Sequence, residues 1–313
     1  MLAAAGVGAE VTLRTDRWTA TATVVDTETR HATPQAAAAV VRALATAARQ
    51  AGARYLFKKT DSTLRGPIAA ELAAVIEAWP GELLAYLPAY PRMGRTVRQG
   101  QLYVDGVQSG DIRELLSLAP AGITVYDAET EEDQRATLAA CDRLTLTAGP
   151  AGVIRHLLEH LPLRRQQPPV LPRARRGLVI CGSLHPASQR QMAAAGLPIC
   201  RLRTEGELMA MLRRSSWALL NTDPEAGSQA SARLAAVAGA VARSAAIDTL
   251  VVFGGDTAVA VFRQWQVETA SPLGEVLPGV PAAAFPAGLT LVTKAGGFGH
   301  DGIIRELIEK LHG

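Results

Sequence analysis

The sequence TLVVFGGDT occupies residues 249–257 and carries the clearest structural pattern in the chain. A short apolar run, Thr249–Phe253, is typical of a buried strand, and an amphipathic helix is predicted over 256–266. Strand, glycine turn and helix in this order indicate one unit of a parallel sheet covered by helices. Glycines let backbone N–H groups approach an anion at the helix N-terminus. The turn residues Gly254, Gly255, Asp256 and Thr257 are therefore candidate phosphate-binding residues.

The same alternation of short apolar runs and amphipathic segments predicts an α/β protein with mainly parallel sheets flanked by helices. Strands are predicted at 20–25, 55–58, 83–87, 123–126, 178–181, 218–221, 249–253 and 289–293. Helices are predicted at 34–51, 67–78, 131–140, 186–195, 228–244, 256–266 and 302–312.

Residues 162–177 (PLRRQQPPVLPRARRG) interrupt this alternation, because proline and arginine occur there without apolar periodicity. The segment predicts a linker between a first domain at 1–161 and a second domain at 178–313. Ligands of open α/β sheets bind beyond the carboxyl ends of the strands, so we expect a ligand cleft between the two domains.

Composition excludes several classes of protein. The chain has 313 residues, of which 48% are hydrophobic and 19% charged, and a net charge of +3. This charge is too small to predict a nucleic-acid or membrane partner, and 4% aromatic residues leave little for base stacking. The 3 cysteines show no Cys-x-x-Cys spacing, and no apolar run reaches the length of a membrane span. We expect a cytoplasmic protein that binds anionic small molecules.

The first polar cluster is KKTDSTLRG at 58–66, which follows a predicted strand and precedes a helix. It contains two of the four lysines in a chain that otherwise uses arginine. The lysines and the arginine of this cluster can bind an anion, and its carboxylate can accept a proton. Its serine and threonine can form hydrogen bonds with the hydroxyls of a ligand. The candidates are Lys58, Lys59, Asp61, Ser62, Thr63 and Arg65. The alternative is an ordinary helix cap with solvated cations.

A second cluster, PAYPRMGRT at 88–96, follows the strand predicted at 83–87. Two prolines stiffen this loop, and Arg95 at its end is suited to a bidentate grip on a carboxylate.

Two more glycine turns follow predicted strands in the second half, at 181–183 and 295–299. With the turn at 254–257 they make three candidate phosphate cradles in one domain, which suggests a polyphosphate ligand. Ser183, Lys294, Gly296 and Gly297 join the candidate phosphate-binding residues on this ground.

Two short motifs match known ligand-binding patterns, but the sequence around each of them does not fit the corresponding site. Residues 297–302 fit G-x-G-x-x-G, but only one helix remains after them, so they predict a phosphate turn and not a dinucleotide site. His156 and His160 fit H-x-x-E-H, yet Pro162 ends that helix and no third ligand follows. We expect two exposed histidines at a helix end and no protein metal site, with a zinc hydrolase as the remaining alternative.

As an ordered set, these motifs resemble the four-carbon acid sugar kinase family. The resemblance runs from about residue 6 to the last helix. It rests on KKTDSTLRG (58–66), PAYPRMGRT (88–96), GQLYVDG (100–106), CGSLHP (181–186), GGDT (254–257), LGEVLPGVP (273–281) and TKAGGFG (293–299).

The resemblance implies a two-domain α/β enzyme that uses ATP to phosphorylate the terminal hydroxyl of threonate, erythronate or oxo-tetronate. It implies sugar-acid binding by the first domain and ATP binding by the second, through Ser183, residues 254–257 and Gly297. The family also opens with an Asp-Asp-x-Thr-Gly-Ala motif that this sequence lacks. We expect either a start upstream of Met1 or the loss of part of the substrate pocket, and a non-catalytic nucleotide or sugar-acid binding protein is the alternative. The sequence does not determine the oligomeric state, and a homodimer is one candidate.

The resulting mechanistic hypothesis assigns the substrate carboxylate to Arg65 and Arg95 and the terminal hydroxyl to Asp61, which orients or deprotonates it. A lysine from 58, 59 or 294 would stabilise the γ-phosphate. Mg²⁺ would accompany ATP, with Asp256 as a ligand directly or through water.

Overall fold

A computed structural model describes residues 1–13, 18, 20–117, 119–201, 205–221, 230–244 and 247–312. The chain divides into two compact units. The first contains residues 1, 13–21 and 25–164, and the second contains residues 2–12, 22–24 and 165–313. No helix within the described ranges has the length and apolarity needed to cross a bilayer.

The strands, in chain order, are β1 (Ala9–Thr12), β2 (Ala22–Val25), β3 (Leu56–Lys59), β4 (Leu84–Tyr86), β5 (Arg95–Arg98), β6 (Gln101–Val104), β7 (Val107–Asp111), β8 (Ile123–Val125), β9 (Leu146–Gly149), β10 (Gly177–Cys181), β11 (Ile199–Arg201), β12 (Trp217–Asn221), β13 (Thr249–Phe253), β14 (Thr269–Leu277), β15 (Val280–Phe285) and β16 (Leu289–Lys294). The α-helices are α1 (Pro34–Gln50), α2 (Ile68–Ala78), α3 (Ile112–Leu115), α4 (Glu131–Ala140), α5 (Ala151–His160), α6 (Pro186–Ala194), α7 (Glu205–Arg214), α8 (Ala230–Arg243), α9 (Gly255–Gln264) and α10 (Ile303–His312).

Among its described residues, the first unit is built on a four-stranded sheet with the strand order β3-β9-β4-β8. All neighbouring strands in this sheet are parallel. Leu72 of α2, Leu84 of β4 and Leu146 of β9 are buried in its main core. Because the strands are parallel, their carboxyl ends meet at one edge. The loops that begin at residues 60 and 87 therefore leave the sheet on the same side.

A second sheet in the first unit, described as three strands in the order β5-β6-β7, is antiparallel and lies between β4 and β8 in the sequence. Its strands are not among the sequence predictions. Charged and polar side chains dominate them, so the pattern of alternating apolar residues is weak.

The second unit contains a sheet of nine described strands in the order β11-β12-β10-β13-β16-β15-β14-β1-β2. From β11 to β16 the neighbouring strands are parallel, whereas β15, β14 and β1 continue the sheet in antiparallel pairs. Strands β10 and β13 are buried along their whole length, as their continuous apolar sequences predict.

The order of the parallel strands creates a topological switch point between β10 and β13. After β10 the chain passes to β11 and β12 on one side, and it then crosses to β13 on the other. In open α/β sheets, ligands bind in the crevice at the carboxyl ends of the two strands that flank such a point. The turns after Cys181 and Phe253 lie at this place.

The organisation of the chain differs from the sequence prediction at two points. Residues 2–12 belong to the second unit, because Val11 and Thr12 pair with Ala270 and Thr269 of β14. The segment 162–177 packs on the second unit from residue 165, and the N–H of Ala174 donates to the carbonyl of Leu311 at 2.8 Å. The first two residues of the helix predicted at 228–244 lie outside the described residues.

Candidate functional site

The three glycine turns of the second unit meet at the carboxyl ends of β10, β13 and β16. An ideal Cβ on Gly254 would lie 3.6 Å from Cβ of Ser183, and one on Gly296 would lie 2.3 Å from Oγ of Ser183. The N–H of Gly254 donates to the carbonyl of Lys294 at 2.9 Å, which joins the second turn to the third. Residues that are far apart in sequence are thus brought into contact at one end of the sheet.

Lys294 holds the third turn from its inner side. Its Nζ donates to the carbonyls of Ala295 (2.7 Å), Gly296 (3.2 Å) and Phe298 (2.7 Å), and it lies 4.4 Å from the ring centre of Phe253. An ammonium has three donors, so this set leaves none for a phosphate. Burial lowers the pKa of Lys294 to about 8. These contacts favour a role for Lys294 in shaping the turn over the γ-phosphate contact for which it is one of three candidate lysines.

Helix α6 completes the support of the third turn. Ser188 Oγ donates to the carbonyl of Gly296 at 2.6 Å, and Gln191 Nε2 donates to the carbonyls of Phe298 (3.0 Å) and Gly299 (2.9 Å). Side chains thus donate to the carbonyl oxygens of Ala295, Gly296, Phe298 and Gly299. Within the described part of the chain, the N–H groups of Gly296 and Gly297 have no acceptor. Unpaired N–H groups backed by a buried cation form a site for an anion.

The second turn begins α9. Gly254 has φ 110°, which favours glycine, and Asp256 is exposed in the first turn of the helix. Thr257 is buried, with its hydroxyl 3.2 Å from that of Ser231. An ideal Cβ on Gly182 would lie 2.1 Å from Oγ1 of Thr257. The first and second turns therefore approach each other so closely that residue 182 has no room for a side chain.

In the first unit, Asp61 organises the loop after β3. Its carboxylate accepts hydrogen bonds from the N–H of Thr63 (2.9 Å), from the Thr63 hydroxyl (2.7 Å) and from Nε and Nη2 of Arg65 (3.1 and 3.0 Å). Arg30 Nη2 lies 3.1 Å from the same carboxylate. Burial alone would raise the pKa of Asp61, but the hydrogen bonds from Arg65 and Thr63 outweigh it and hold the pKa well below its usual range.

The loop around Asp61 carries an excess of positive charge. Arg65 and Arg30 are exposed although both pair with Asp61, and their side chains are 67% and 49% accessible. Lys59 is an exposed residue, and its ammonium has no partner among the residues described. Partial burial of the ammonium, followed by the charge of Arg30, lowers the pKa of Lys59. Three cations around one carboxylate can attract an anionic ligand.

Lys58 has a different environment from Lys59. Its ammonium lies 2.9 Å from the carboxylate of Glu71 and donates to the carbonyl of Lys59 at 3.1 Å. Glu71 is buried in α2 and also accepts a hydrogen bond from the Thr29 hydroxyl. This ion pair, in which Glu71 is buried and Lys58 is partly buried, links β3, α2 and the loop before α1. It favours a structural role for Lys58 over the expected contact with substrate.

Sequence reasoning missed Arg30 and Glu71. Arg30 lies in a polar loop with no local pattern, so nothing in its own segment indicates that it reaches Asp61. Glu71 had a usable signal, because it follows Ile68 by three residues and therefore lies on the apolar face of α2. A carboxylate on a buried face requires a partner, and that partner is Lys58.

Among the described residues, the remaining candidates of the first unit, Ser62 and Arg95, form no side-chain hydrogen bond or ion pair with the Asp61 carboxylate. Ser62 is partly exposed, and its hydroxyl has no partner among the described residues. Arg95 begins β5, where its guanidinium donates to the carbonyl of Met93. Within the described ranges, Arg95 forms no hydrogen bond or ion pair with the loop at 60–66.

The H-x-x-E-H segment lies on α5. His160 is exposed, but the expectation of two exposed histidines is wrong for His156, which is completely buried because it faces the core of the first unit. Its Nδ1 lies 3.8 Å from the carboxylate of Glu159. Among the described residues, no three His, Cys, Asp or Glu side chains come together as a metal site.

Comparison with protein families matches both parts of the chain. A family model described as a sugar-binding N-terminal domain matches residues 1–114, and one described as a nucleotide-binding C-terminal domain matches residues 202–304. Two solved structures share the fold. A Haemophilus influenzae protein has a TM-score of 0.79 at 16% identity, covering 98% of this chain and 95% of that one. A Salmonella typhimurium protein has a TM-score of 0.82 at 18% identity, covering 97% and 93%.

Curated relatives are closer in sequence. A D-threonate kinase of Bordetella bronchiseptica is 31% identical, with 88% of this chain and 83% of the relative covered. The D-threonate kinases of Salmonella typhimurium and Cupriavidus necator are 29% and 30% identical, with 86% and 84% of their lengths covered. These matches cover 88–89% of the chain, so they extend over both units. The chain therefore belongs to the four-carbon acid sugar kinase family.

Proposed function

We propose that this chain is an ATP-dependent kinase that phosphorylates the terminal hydroxyl of a four-carbon sugar acid. The observation that carries the proposal is the meeting of three glycine turns at the switch point between β10 and β13. The names of the relatives make D-threonate the first substrate to test, before erythronate and oxo-tetronate.

The triphosphate binds to the turns of the second unit in this proposal. The N–H groups of Gly296 and Gly297 donate to phosphate oxygens, and the N-terminus of α9 at Gly255 adds its partial positive charge. Ser183 lies between these turns and supplies a hydroxyl. Lys294 contributes through its charge and through the shape of the third turn, and it does not contact the phosphate.

Mg²⁺ fits this site as a companion of the nucleotide. Magnesium in kinases is held by phosphate oxygens and waters with one or two carboxylates. Asp256 is an exposed carboxylate in the first turn of α9, beside the turn that it shares with Gly254 and Gly255. Bound there, the ion would neutralise charge on the phosphates. Asp256 would hold it directly or through a water.

The sugar acid binds to the loop of Asp61 in the first unit. Arg30 and Arg65 present guanidinium donors that Asp61 has already oriented, so less side-chain entropy is lost when they bind a carboxylate. Lys59 adds an ammonium that has no partner among the described residues, and Ser62 offers a hydroxyl for one substrate hydroxyl. Arg95 is kept as a further candidate for the carboxylate.

Asp61 is proposed to act by orientation. A carboxylate whose pKa is held well below its usual range is a weak base at neutral pH. Phosphoryl transfer depends mainly on positioning and charge neutralisation, so a strong base is not required. Asp61 fixes the two arginines and thereby the substrate.

An ADP-release assay with Mg²⁺, ATP and a panel of D and L four-carbon acids tests the proposal. We expect turnover with one acid and none without an acceptor, and phosphorus NMR of the product should place the phosphate on the terminal oxygen. Calorimetry with ATP and each acid is the companion measurement. Binding of both ligands without ADP release would instead support a non-catalytic binding protein.

A further inference from the structure

His185 lies at the junction of the first and third glycine turns. It is the N-cap of α6, and its Nδ1 accepts a hydrogen bond from the N–H of Ala187 at 3.2 Å. A ring nitrogen that accepts a hydrogen bond carries no proton. In the neutral imidazole the proton is therefore on Nε2, and the cap fixes the direction in which this donor points.

The Nε2 donor faces the third turn. An ideal Cβ on Gly297 would lie 3.0 Å from Nε2 and 3.3 Å from Cε1 of His185. Gly297 does not have a positive φ, so its backbone conformation does not require glycine. The close approach of the imidazole gives a reason for the absence of a side chain at 297.

The donor is also available. His185 is exposed, and within the described part of the chain its Nε2–H has no acceptor. The unpaired N–H groups of Gly296 and Gly297 lie beside it. Capping alone does not call for an imidazole, because Ser, Asn and Asp are the preferred N-cap residues. Histidine provides what they do not, a second nitrogen on the far side of the ring.

We propose that His185 is a phosphate-binding residue whose Nε2–H donates to an oxygen of the nucleotide phosphates at the third turn. The inference rests on the proposed function, because the ligand is the nucleotide of that site. It adds a side-chain donor to a cradle that otherwise consists of backbone N–H groups. The two roles of His185 use different ring nitrogens, because Nδ1 accepts the capping hydrogen bond and Nε2–H would donate to the charged phosphate. A substitution that keeps the acceptor and removes the donor can therefore separate them.

His185→Asn separates them, since the asparagine carbonyl can still accept from the N–H of Ala187 while the Nε2 donor is lost. We expect unchanged thermal stability and a Kd for ATP that is about tenfold to a hundredfold higher by calorimetry, with the Kd for adenosine unchanged. His185→Ala should show the same loss of ATP affinity and lower stability. The KM for the sugar acid should not change in either variant.

His300→Asn is the matched control. His300 Nδ1 accepts from the N–H of Gly302 at 3.2 Å, but its Nε2 is engaged by Glu306 at 2.9 Å. The same chemical change there should leave ATP affinity unaltered. Wild-type ATP affinity in His185→Asn, with only His185→Ala less stable, would overturn the inference and leave His185 as a cap. Failure of the proposed function would look different, because the wild-type protein itself would not bind ATP.

Discussion

The guanidinium of Arg65 holds both carboxylate oxygens of Asp61, with Nε 3.1 Å from Oδ1 and Nη2 3.0 Å from Oδ2. This two-point contact fixes the plane of the arginine and leaves its remaining donors directed toward solvent. Asp61 therefore orients Arg30 and Arg65. Its removal should weaken the binding of the sugar acid more than it affects any other step of the reaction.

Asp61→Asn should raise the KM for the sugar acid by roughly tenfold to a hundredfold, because one neutral amide cannot orient Arg30 and Arg65 together. The KM for ATP should stay within about twofold of the wild-type value. Arg65→Lys is the companion variant, since it keeps the charge and removes the fork. If kcat for Asp61→Asn instead falls about a thousandfold at saturating sugar acid, Asp61 is the base.

The parts of the fold that were predictable are those whose sequence carries its own pattern. Strand β13 begins and ends at the predicted residues because TLVVF is apolar throughout and a glycine turn follows it. The three turns were predictable for the same reason, and the strand order then brings them together. Local composition and the rule for parallel strands were sufficient at these positions.

The parts that were missed depend on distant partners. Strand β14 contains Pro272 and Gly274, has register shifts, and is held as a strand by β15 and β1 on its two sides. Strand β1 pairs with residues about 260 positions away in sequence, so no window of the sequence reports it. The contact of Arg30 with Asp61 is of the same kind. Such contacts follow from tertiary packing and not from the segment itself.

The close approach of the first and second turns predicts a size limit at residue 182. Gly182→Ala would place Cβ 2.1 Å from Oγ1 and 3.3 Å from Cβ of the buried Thr257, and a β-branched side chain in a helix has little freedom to move. We expect a loss of about 1–3 kcal/mol in the free energy of unfolding and weaker ATP binding.

Chemical denaturation and ATP calorimetry measure the two effects. Gly206→Ala in the first turn of α7 is the control, because among the described residues nothing beyond its chain neighbours and its own helix backbone lies within 4 Å of the added Cβ. That variant should be as stable as the wild type or slightly more stable. Equal stability of Gly182→Ala and Gly206→Ala would show that the turns can separate freely.

The buried ammonium of Lys294 predicts a pH dependence of nucleotide binding. Burial lowers its pKa to about 8, so the charged form that holds three carbonyls is lost as the pH rises through that value. Above it, the Kd for ATP should rise by up to about tenfold per pH unit. Calorimetry between about pH 7 and about pH 9.5 measures this change.

Stability should not follow ATP affinity in this range. The folded pKa of Lys294 is below its ordinary value near 10.5, so the unfolded chain binds more protons between the two values. The contribution of this residue to the free energy of unfolding therefore increases with pH there. Lys294→Met should bind ATP weakly at every pH. A wild-type Kd that stays constant across the range would remove Lys294 from the organisation of the turn.

His156 should reduce stability in acid. Both ring nitrogens are buried without a hydrogen-bond partner within the described residues, and burial, followed by the charge of Arg135, lowers the pKa of the imidazole. The unfolded chain takes up the proton near pH 6.5, whereas the folded chain does so only at lower pH. The contribution of His156 to the free energy of unfolding therefore decreases as the pH falls below about 6.5.

His156→Leu should increase the free energy of unfolding by about 1–3 kcal/mol at neutral pH, since an unpaired buried polar ring is replaced by an apolar side chain. Its advantage over the wild type should grow between about pH 6.5 and about pH 5, as measured by urea denaturation. The neighbouring charges of Glu131, Glu159, Arg135 and Arg155 are unchanged in the variant. His160→Leu, at an exposed site on the same helix, should match the wild type in its pH dependence. A less stable His156→Leu protein at neutral pH would mean that the imidazole has a buried partner, such as a water, whose hydrogen bonds outweigh the cost of burying the ring.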